Sequence, residues 1–337
     1  MAKVLVTGGC GYIGSHTLVD LLDNGFEVVS ADNLLNSDHA ALRGIEAITG
    51  QQVKNYDTDL CDLAATRRIF EENPGLAGVI HFAALKSVNE SVHKPLLYFQ
   101  NNLGSLLNLV QCMVEFGVRD LIFSSSCSVY GQSTQLPVTE TTPLEPPQCP
   151  YARTKVMGEE ILRDFCAANP AVNAIALRYF NPAGAHPSAL IGENPRNVAS
   201  NLVPVITETA IGKRPTMTVF GSDYPTRDGS AVRDYIHVMD VAHAHVKALE
   251  YLRRGANDSN FEIFNLGIGE GVTVLEAIHA FEATTGTKLN YQIGPRREGD
   301  VAAVYADCSK AMQRFGWQPR YGIAEIMQSA WAWEQRR

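Results

Sequence analysis

The stretch Thr7-Gly8-Gly9-Cys10-Gly11-Tyr12-Ile13-Gly14 decides the fold. It follows the apolar run Val4-Leu5-Val6 and opens a helical pattern from Tyr12 to Asn24, with Gly25 where a helix C-cap is wanted. Gly8, Gly11 and Gly14 have the spacing G-x-x-G-x-x-G. Glycines so placed permit a tight turn, close approach of backbone to a pyrophosphate, and close helix–strand contact. The helix N-terminus then faces the anion. Asp32 ends the next strand, 18 residues after Gly14. A carboxylate there accepts hydrogen bonds from adenosine ribose hydroxyls and repels a 2′-phosphate, which favours NAD over NADP. Asp59-Leu60 falls after a third strand, where Asp59 can either read an adenine edge or cap a helix.

Working outward, Glu27–Ala31, Val79–Phe82, Leu121–Phe123 and Ile175–Leu177 are further apolar runs, with helical patterns around Leu63–Glu72, Leu96–Phe116 and Ala152–Ala168. Strands alternating with helices predict a doubly wound parallel α/β (Rossmann) sheet. After about Asn181 the chain becomes rich in Pro, Gly and Asn. We therefore expect a nucleotide-binding domain over residues 1–180 and a smaller mixed α/β lobe over 181–337. Phe261–Leu266 reads as a buried strand, so part of the second half is expected to cross back to the main sheet. Helical patterns follow at Val274–Thr284 and Ile323–Trp333.

Composition narrows the function classes. The 337 residues carry a formal charge of −8, with 45% hydrophobic and 19% charged residues. A mildly acidic chain without a basic stripe argues against a nucleic-acid partner. No apolar run approaches a membrane span, and no targeting segment precedes the first strand. The seven cysteines are odd in number and none lie at C-x-x-C spacing. Reduced thiols in the cytoplasm fit better than a disulfide framework or a zinc site. The histidines give no metal pattern, and His81, inside an apolar run, reads as a core residue.

Tyr151 and Lys155 form Y-x-x-x-K at the start of a predicted helix, which puts both side chains on one face. A phenol normally has a pKa of about 10. A nearby ammonium and a cationic nicotinamide ring would both favour phenolate and make Tyr151 a usable base. Ser124-Ser125-Ser126 directly follows a predicted core strand, 25 residues before Tyr151. A hydroxyl there, beside the cofactor cleft, can bond a reacting sugar hydroxyl.

These features together resemble the extended short-chain dehydrogenases/reductases, and most closely the UDP-galactose 4-epimerases. Runs such as Arg178-Tyr179-Phe180-Asn181-Pro182 and Val232-Arg233-Asp234-Tyr235-Ile236-His237-Val238 carry the closer likeness, which spans nearly the whole chain. The resemblance implies catalytic roles for Ser126, Tyr151 and Lys155. It implies NAD contacts at Gly8, Gly11, Tyr12, Ile13, Gly14, Asp32, Asn33, Asn36, Ser37, Asp59, Leu60, Phe82, Ala83, Lys86, Asn101, Ser124, Tyr151, Lys155 and Tyr179. On the UDP-hexose side it implies Lys86, Ser126, Tyr151, Phe180, Asn181, Asn201, Leu202, Phe220, Arg233, Tyr235, Arg297, Asp300 and Val304. Guanidinium forks suit a diphosphate, which fits Arg233 and Arg297. The resemblance implies that a residue smaller than an aromatic at the position of Val304 also admits N-acetylated sugars, so UDP-N-acetylglucosamine and UDP-N-acetylgalactosamine join UDP-glucose and UDP-galactose as expected substrates; a register shifted by one would put Tyr305 at that wall instead. A homodimer through the Leu96–Phe116 and Tyr151 helices is implied as well. Two other readings are a 4,6-dehydratase or decarboxylase of the same superfamily and a non-catalytic NAD-sensing module. A dehydratase would carry Asp-Glu where Cys127-Ser128 stand. A binding module would have no need of the Ser126/Tyr151/Lys155 set.

Overall fold

The computed structural model describes residues 2–196, 198–297 and 300–337. In the first half, β1 (Lys3–Thr7), α1 (Tyr12–Asp23), β2 (Glu27–Ala31), α2 (Ala40–Thr49), β3 (Lys54–Tyr56), α3 (Leu63–Glu72) and β4 (Leu76–His81) alternate as the apolar runs predict. Two helices, α4 (Val88–His93) and α5 (Pro95–Glu115), lead to β5 (Asp120–Ser126), and α6 (Pro150–Ala168) to β6 (Asn173–Tyr179). The second half holds β7 (Asn181–Ala183), α7 (Leu202–Ala210), β8 (Met217–Phe220), β9 (Val232–Arg233), β10 (Tyr235–His237), α8 (Val238–Arg253), β11 (Phe261–Leu266), β12 (Val272–Thr273), α9 (Val274–Thr285), β13 (Tyr291–Gly294), β14 (Ala303–Val304), α10 (Ser309–Phe315) and α11 (Ile323–Arg336).

Seven strands form one parallel sheet in the order β11-β6-β5-β4-β1-β2-β3. Successive residues feed opposite faces. Val4, Val6, Ile80 and Ile122 pack with residues of α1 and α8, whereas Leu5, Val79, Leu121 and Phe123 pack with residues of α3, α5 and α6. A sheet buried on both faces reads as continuous apolar runs, which is why the sequence exposes it. The strand order reverses between β1 and β4, and the crevice at their carboxyl ends is where such sheets take ligands.

Three expectations are corrected. Ser124–Ser126 do not follow the strand but form its last three residues. β4 ends at His81, leaving Phe82 just beyond it. Asp59 does not cap α3; Asp62 does, accepting the Ala65 amide at 3.0 Å. The expected return to the main sheet is present as β11 beside β6, and it is preceded by α8, a helix the sequence reading passes over. A third core, with Ile206, Phe281, Ile326 and Met327 at its centre, sits among α7, α9 and α11. Among the described residues no helix is long and apolar enough to cross a membrane.

Candidate active site

The Gly-rich turn is fixed by its own backbone. Gly8 adopts φ +70° and donates its amide to the Ala31 carbonyl at 2.7 Å, while Gly11 donates to Gly8 at 3.0 Å. A Cβ at Gly14 would strike the Gly8 carbonyl, and one at Gly8 would lie 2.8 Å from the Ala83 amide. Gly9, which the spacing argument leaves out, is equally constrained, since a Cβ there would strike the Ser30 hydroxyl. A Cβ on Gly11 would meet only the Gly8 carbonyl, at 3.1 Å. Gly8, Gly9 and Gly14 are therefore required by packing. The bare backbone of Gly11 lies at the start of α1, where no side chain caps the helix.

Asp32 is buried at the end of β2 and aimed at this turn. Its Oδ2 accepts the Cys10 amide at 3.1 Å, and its Oδ1 accepts the Leu34 amide at 2.9 Å and the Ser37 hydroxyl at 2.7 Å. Asn33, Asn36 and Asp59 are exposed around it, and Leu60 is buried. On the other side of the crevice, Phe82 and Ala83 hang from Thr7: the Phe82 amide donates to its carbonyl at 3.0 Å and the Ala83 amide to its hydroxyl at 3.3 Å. His81 bonds the same hydroxyl through Nδ1 at 2.7 Å. It is a satisfied core residue, and burial pushes its pKa down to about 3. Among the described residues no cluster of His, Cys, Asp and Glu could hold a metal ion. His245 of α8 lies against both Phe82 and Tyr179, with ring centroids 4.6 and 5.9 Å away.

The end of β5 gathers the catalytic candidates. The Ser124 hydroxyl bonds that of Tyr179. Lys155 donates to the Ser124 carbonyl at 2.6 Å, and its Nζ lies 5.9 Å from the centroid of the Tyr151 ring. Burial, reinforced by Tyr179, holds the Tyr151 phenol well above its ordinary value, and the Ser126 hydroxyl offsets this only in part. The expected downward shift is thus reversed in the protein alone: desolvation penalises the phenolate, and the ammonium points to a carbonyl. Burial also pushes Lys155 down to about 8, against the opposing effect of Glu159. Cys127 follows Ser126, and burial raises its thiol to about 12. It and Ser128 offer no carboxyl pair for acid–base elimination.

A second group faces this one. Asn181 begins β7 and has a buried Oδ1 with no partner; its amide donates to the Asp234 carbonyl at 3.0 Å. Arg233 is held in place by the Val232 and Val301 carbonyls at 2.8 and 2.9 Å and by Asp300 at 3.3 Å. Arg233 and Asp300 also act on the buried Tyr235 phenol, which desolvation raises. Parallel pairing sets Val304 beside Arg233, so both side chains share one face of the small sheet and Tyr305 takes the other. Arg297 is exposed, its guanidinium 4.5 Å from the Phe220 ring centroid. Phe180 is buried against Tyr130. Leu202 opens α7, whose N-cap Asn201 makes no side-chain cap. Instead Asn201 donates to Glu193 at 2.9 Å, and Glu193 also pairs with Lys86 at 3.5 Å. Asn101 donates to Asn102 at 2.9 Å. Buried Asn102 in turn ties the Leu85 backbone to Thr154, the residue before Lys155.

A doubly wound sheet with a Gly-rich first turn, an acid after β2 and a Ser–Tyr–Lys set at the end of β5 defines an extended short-chain dehydrogenase/reductase. Comparison with known proteins makes this particular. Residues 5–330 match the family described as GDP-mannose 4,6 dehydratase. The chain is 46% identical over 331 residues to the UDP-glucose 4-epimerase of Bacillus subtilis, covering 98% of this chain and 96% of the relative. Its structure superposes with a TM-score of 0.96 on the UDP-glucose 4-epimerase of Stenotrophomonas maltophila, determined with NAD and formylated UDP-arabinopyranose; the two are 45% identical, with 100% of this chain and 98% of the other covered. For the Bifidobacterium longum enzyme, in complex with NAD+ and UDP, the TM-score is 0.94 at 45% identity, with 99% and 98% covered. The chain belongs to the UDP-glucose 4-epimerase family.

Proposed function

We propose that this protein is an NAD-dependent isomerase that interconverts UDP-galactose and UDP-glucose at C4 through a 4-keto intermediate. The observation that carries this reading is the meeting of Ser126, Tyr151 and Lys155 at the end of β5, between the Gly-rich turn and the Arg233 group. The residues present fit both ligands. The bare Gly11 backbone and the uncapped start of α1 suit a pyrophosphate, and Asp32 is oriented to take ribose hydroxyls. The unpartnered Oδ1 of Asn181 and the anchored guanidinium of Arg233 suit a UDP-sugar. We assign residues 1–180 chiefly to NAD and 181–337 chiefly to UDP, with α8 and β11 serving the main sheet.

NAD, when bound, supplies the hydride acceptor and donor at C4. Tyr151 takes the proton of the 4-hydroxyl, and Ser126 bonds the same oxygen. Because Tyr151 is buried, each nearby charge counts for more than it would in water, and the Lys155 ammonium favours the phenolate. Arg233 and Arg297 grip the diphosphate while the keto sugar turns its other face to the crevice, so binding energy lies away from the reacting centre. Val304, on the face of Arg233, leaves room at the sugar C2 substituent, which extends the reading to UDP-N-acetylglucosamine and UDP-N-acetylgalactosamine. The exposed apolar residues of α5 support a homodimer, and seven free cysteines support a cytoplasmic setting.

The test is a coupled assay. Purified protein given UDP-galactose should yield UDP-glucose, and Tyr151→Phe should fold and retain NAD yet lose turnover by about 10²–10⁴-fold, the usual worth of a general base. No product from the wild type would leave a binding module as the better reading. Near-wild-type turnover of Tyr151→Phe would refute the assigned base.

A further inference from the structure

Behind the catalytic strand lies a buried ion pair that the reaction scheme above does not use. Glu159 of α6 and Arg178 of β6 are each only 2% exposed. Arg178 donates from Nε to Oε1 at 2.9 Å and from Nη2 to Oε2 at 2.6 Å. The Ser125 hydroxyl donates to Oε1 at 2.5 Å. Ser125 and Arg178 are register partners on β5 and β6, so both present themselves to α6 from the same sheet face. The guanidinium also covers the Tyr130 ring, 4.9 Å from its centroid, and Tyr130 donates to Asn265 of β11 at 2.6 Å. One carboxylate thus binds α6 to the tips of β5 and β6 and, through Arg178 and Tyr130, reaches β11.

Such a pair is a costly way to join elements, since apolar residues of similar volume often serve stability as well or better. Its position suggests what it does instead. Tyr151, Lys155 and Glu159 follow one another at intervals of four along a single face of α6. Ser125 stands between Ser124, whose carbonyl holds Lys155, and Ser126, whose hydroxyl acts on Tyr151. We propose that Glu159, clamped by Arg178 and Ser125, is a positioning residue for the epimerisation: it anchors the end of β5 on which Lys155 rests and acts as the counter-charge that keeps Lys155 an ammonium beside Tyr151. This rests on the reading of Tyr151 as the base.

The titratable groups facing Lys155 are few. Its own helix brings Tyr151 and Glu159, β4 brings His81, and β6 brings Tyr179 through Ser124 and Arg178 beyond Glu159. His81 is neutral near pH 7, with its pKa at about 3, and the phenols are raised by burial. Among the described residues Glu159 is the one anion in this set. Removing its charge should make Lys155 give up its proton at lower pH.

The experiment follows Lys155 directly, by carbon NMR of protein labelled at lysine Cε, with the signal assigned from Lys155→Met. In the wild type Lys155 should titrate near pH 8. In Glu159→Gln the midpoint should fall by about one pH unit or more, because a nearby opposite charge commonly moves a pKa by that much. The kcat for UDP-galactose should drop by about 10–100-fold, with KM changed less than about threefold and the alkaline limb of the pH profile moved down. Glu159→Gln leaves Arg178 buried without its carboxylate, so the double variant Glu159→Gln/Arg178→Met, which removes both charges, is measured beside it; there too the Lys155 midpoint should fall. A midpoint unchanged from wild type in either folded variant would overturn the proposal. A wild type that does not epimerise would refute the reading of the reaction, while the Lys155 titration would still decide this one.

Discussion

Val304 occupies a two-residue strand, and its importance follows from which way it faces. Pairing beside Arg233 gives it the side of the small sheet that carries the anchored guanidinium, and Tyr305 turns to the outer groove with Pro225 and Arg227. Had the register slipped by one residue, the aromatic ring would occupy the inner face. Val304→Tyr should therefore fill the space assigned to the C2 substituent. We expect it to lower turnover of UDP-N-acetylglucosamine by at least about 100-fold and to leave UDP-glucose within about threefold, because steric exclusion acts only on the larger ligand. Assaying both substrate pairs on both proteins decides it; a wild type inactive on the N-acetyl pair sinks the assignment. At this scale the site was partly legible in the sequence. The glycines, Asp32 and Tyr151/Lys155 announce themselves by spacing, because each spacing is imposed by a turn or a helix face. Gly9, Asn102 and Arg178 do not, since their partners Ser30, Leu85 and Glu159 are distant in sequence or joined only by tertiary packing. Glu159 alone could have been found, four residues past Lys155. The charge state of Tyr151 could not be read, because burial, which decides it, is a property of the whole fold.

Among the elements, most helices are legible in the sequence and one is not. α3 and α9 begin and end within a residue of where periodicity places them. α8 is passed over although His243, Lys247, Glu250 and Arg253 line one polar side of it; it opens directly from β10 at His237, with no Ser, Thr, Asp or Asn cap to mark its start. The apolar run of β5 stops at Phe123, and three serines after it resemble a loop. They remain in the strand since each hydroxyl has a partner, in Tyr179, Glu159 and the Ser128 amide. α5 posed the opposite problem, apolar on more than one side. The fold divides these residues: Leu106, Val110 and Met113 go inside, while Leu96 is 72% and Leu107 49% exposed. A row of exposed leucines on a long helix next to α6 marks a surface that a second copy would cover. Leu107→Glu should convert a dimer of roughly twice the 36.8 kDa chain mass into a monomer, with monomer stability changed by no more than about 0.5 kcal/mol, as for other surface sites. Light scattering on the two proteins tests this, and a monomeric wild type, or a variant that stays dimeric, would refute the interface.

For the molecule as a whole, buried histidines set a limit on the acid side. His16 on α1, His81 on β4, His237 at the end of β10 and His245 on α8 are all inaccessible, and they lie in or against the main sheet or at its junction with the second lobe. Burial pushes His16 and His81 down to about 3 and His237 and His245 to about 4, from an ordinary value of 6.5. Their local bonds oppose the shift only partly. His16 and His245 each have Nδ1 on a carbonyl of the preceding turn, at 2.7 and 2.8 Å, and an Nε2 with no partner. A lowered folded-state pKa means that the unfolded chain binds more protons between the two values, so stability rises with pH across that interval. The contribution is fully present above about pH 6.5 and is lost as the pH falls through about 4. Carboxylates in ion pairs add to the loss only lower down, since their ordinary values lie near 4. The protein should therefore begin to lose stability about two pH units before its paired carboxylates titrate; Asp234, which burial raises to about 6, binds its proton in the fold and offsets only part of the loss. Urea unfolding from pH 7.5 to 5 should show the midpoint falling steadily below about pH 6.5, with a slope corresponding to uptake of roughly three protons or more on unfolding. A midpoint that stays level down to pH 5 would mean that these histidines carry their charge within the fold, in contradiction to the burial that the structure gives them.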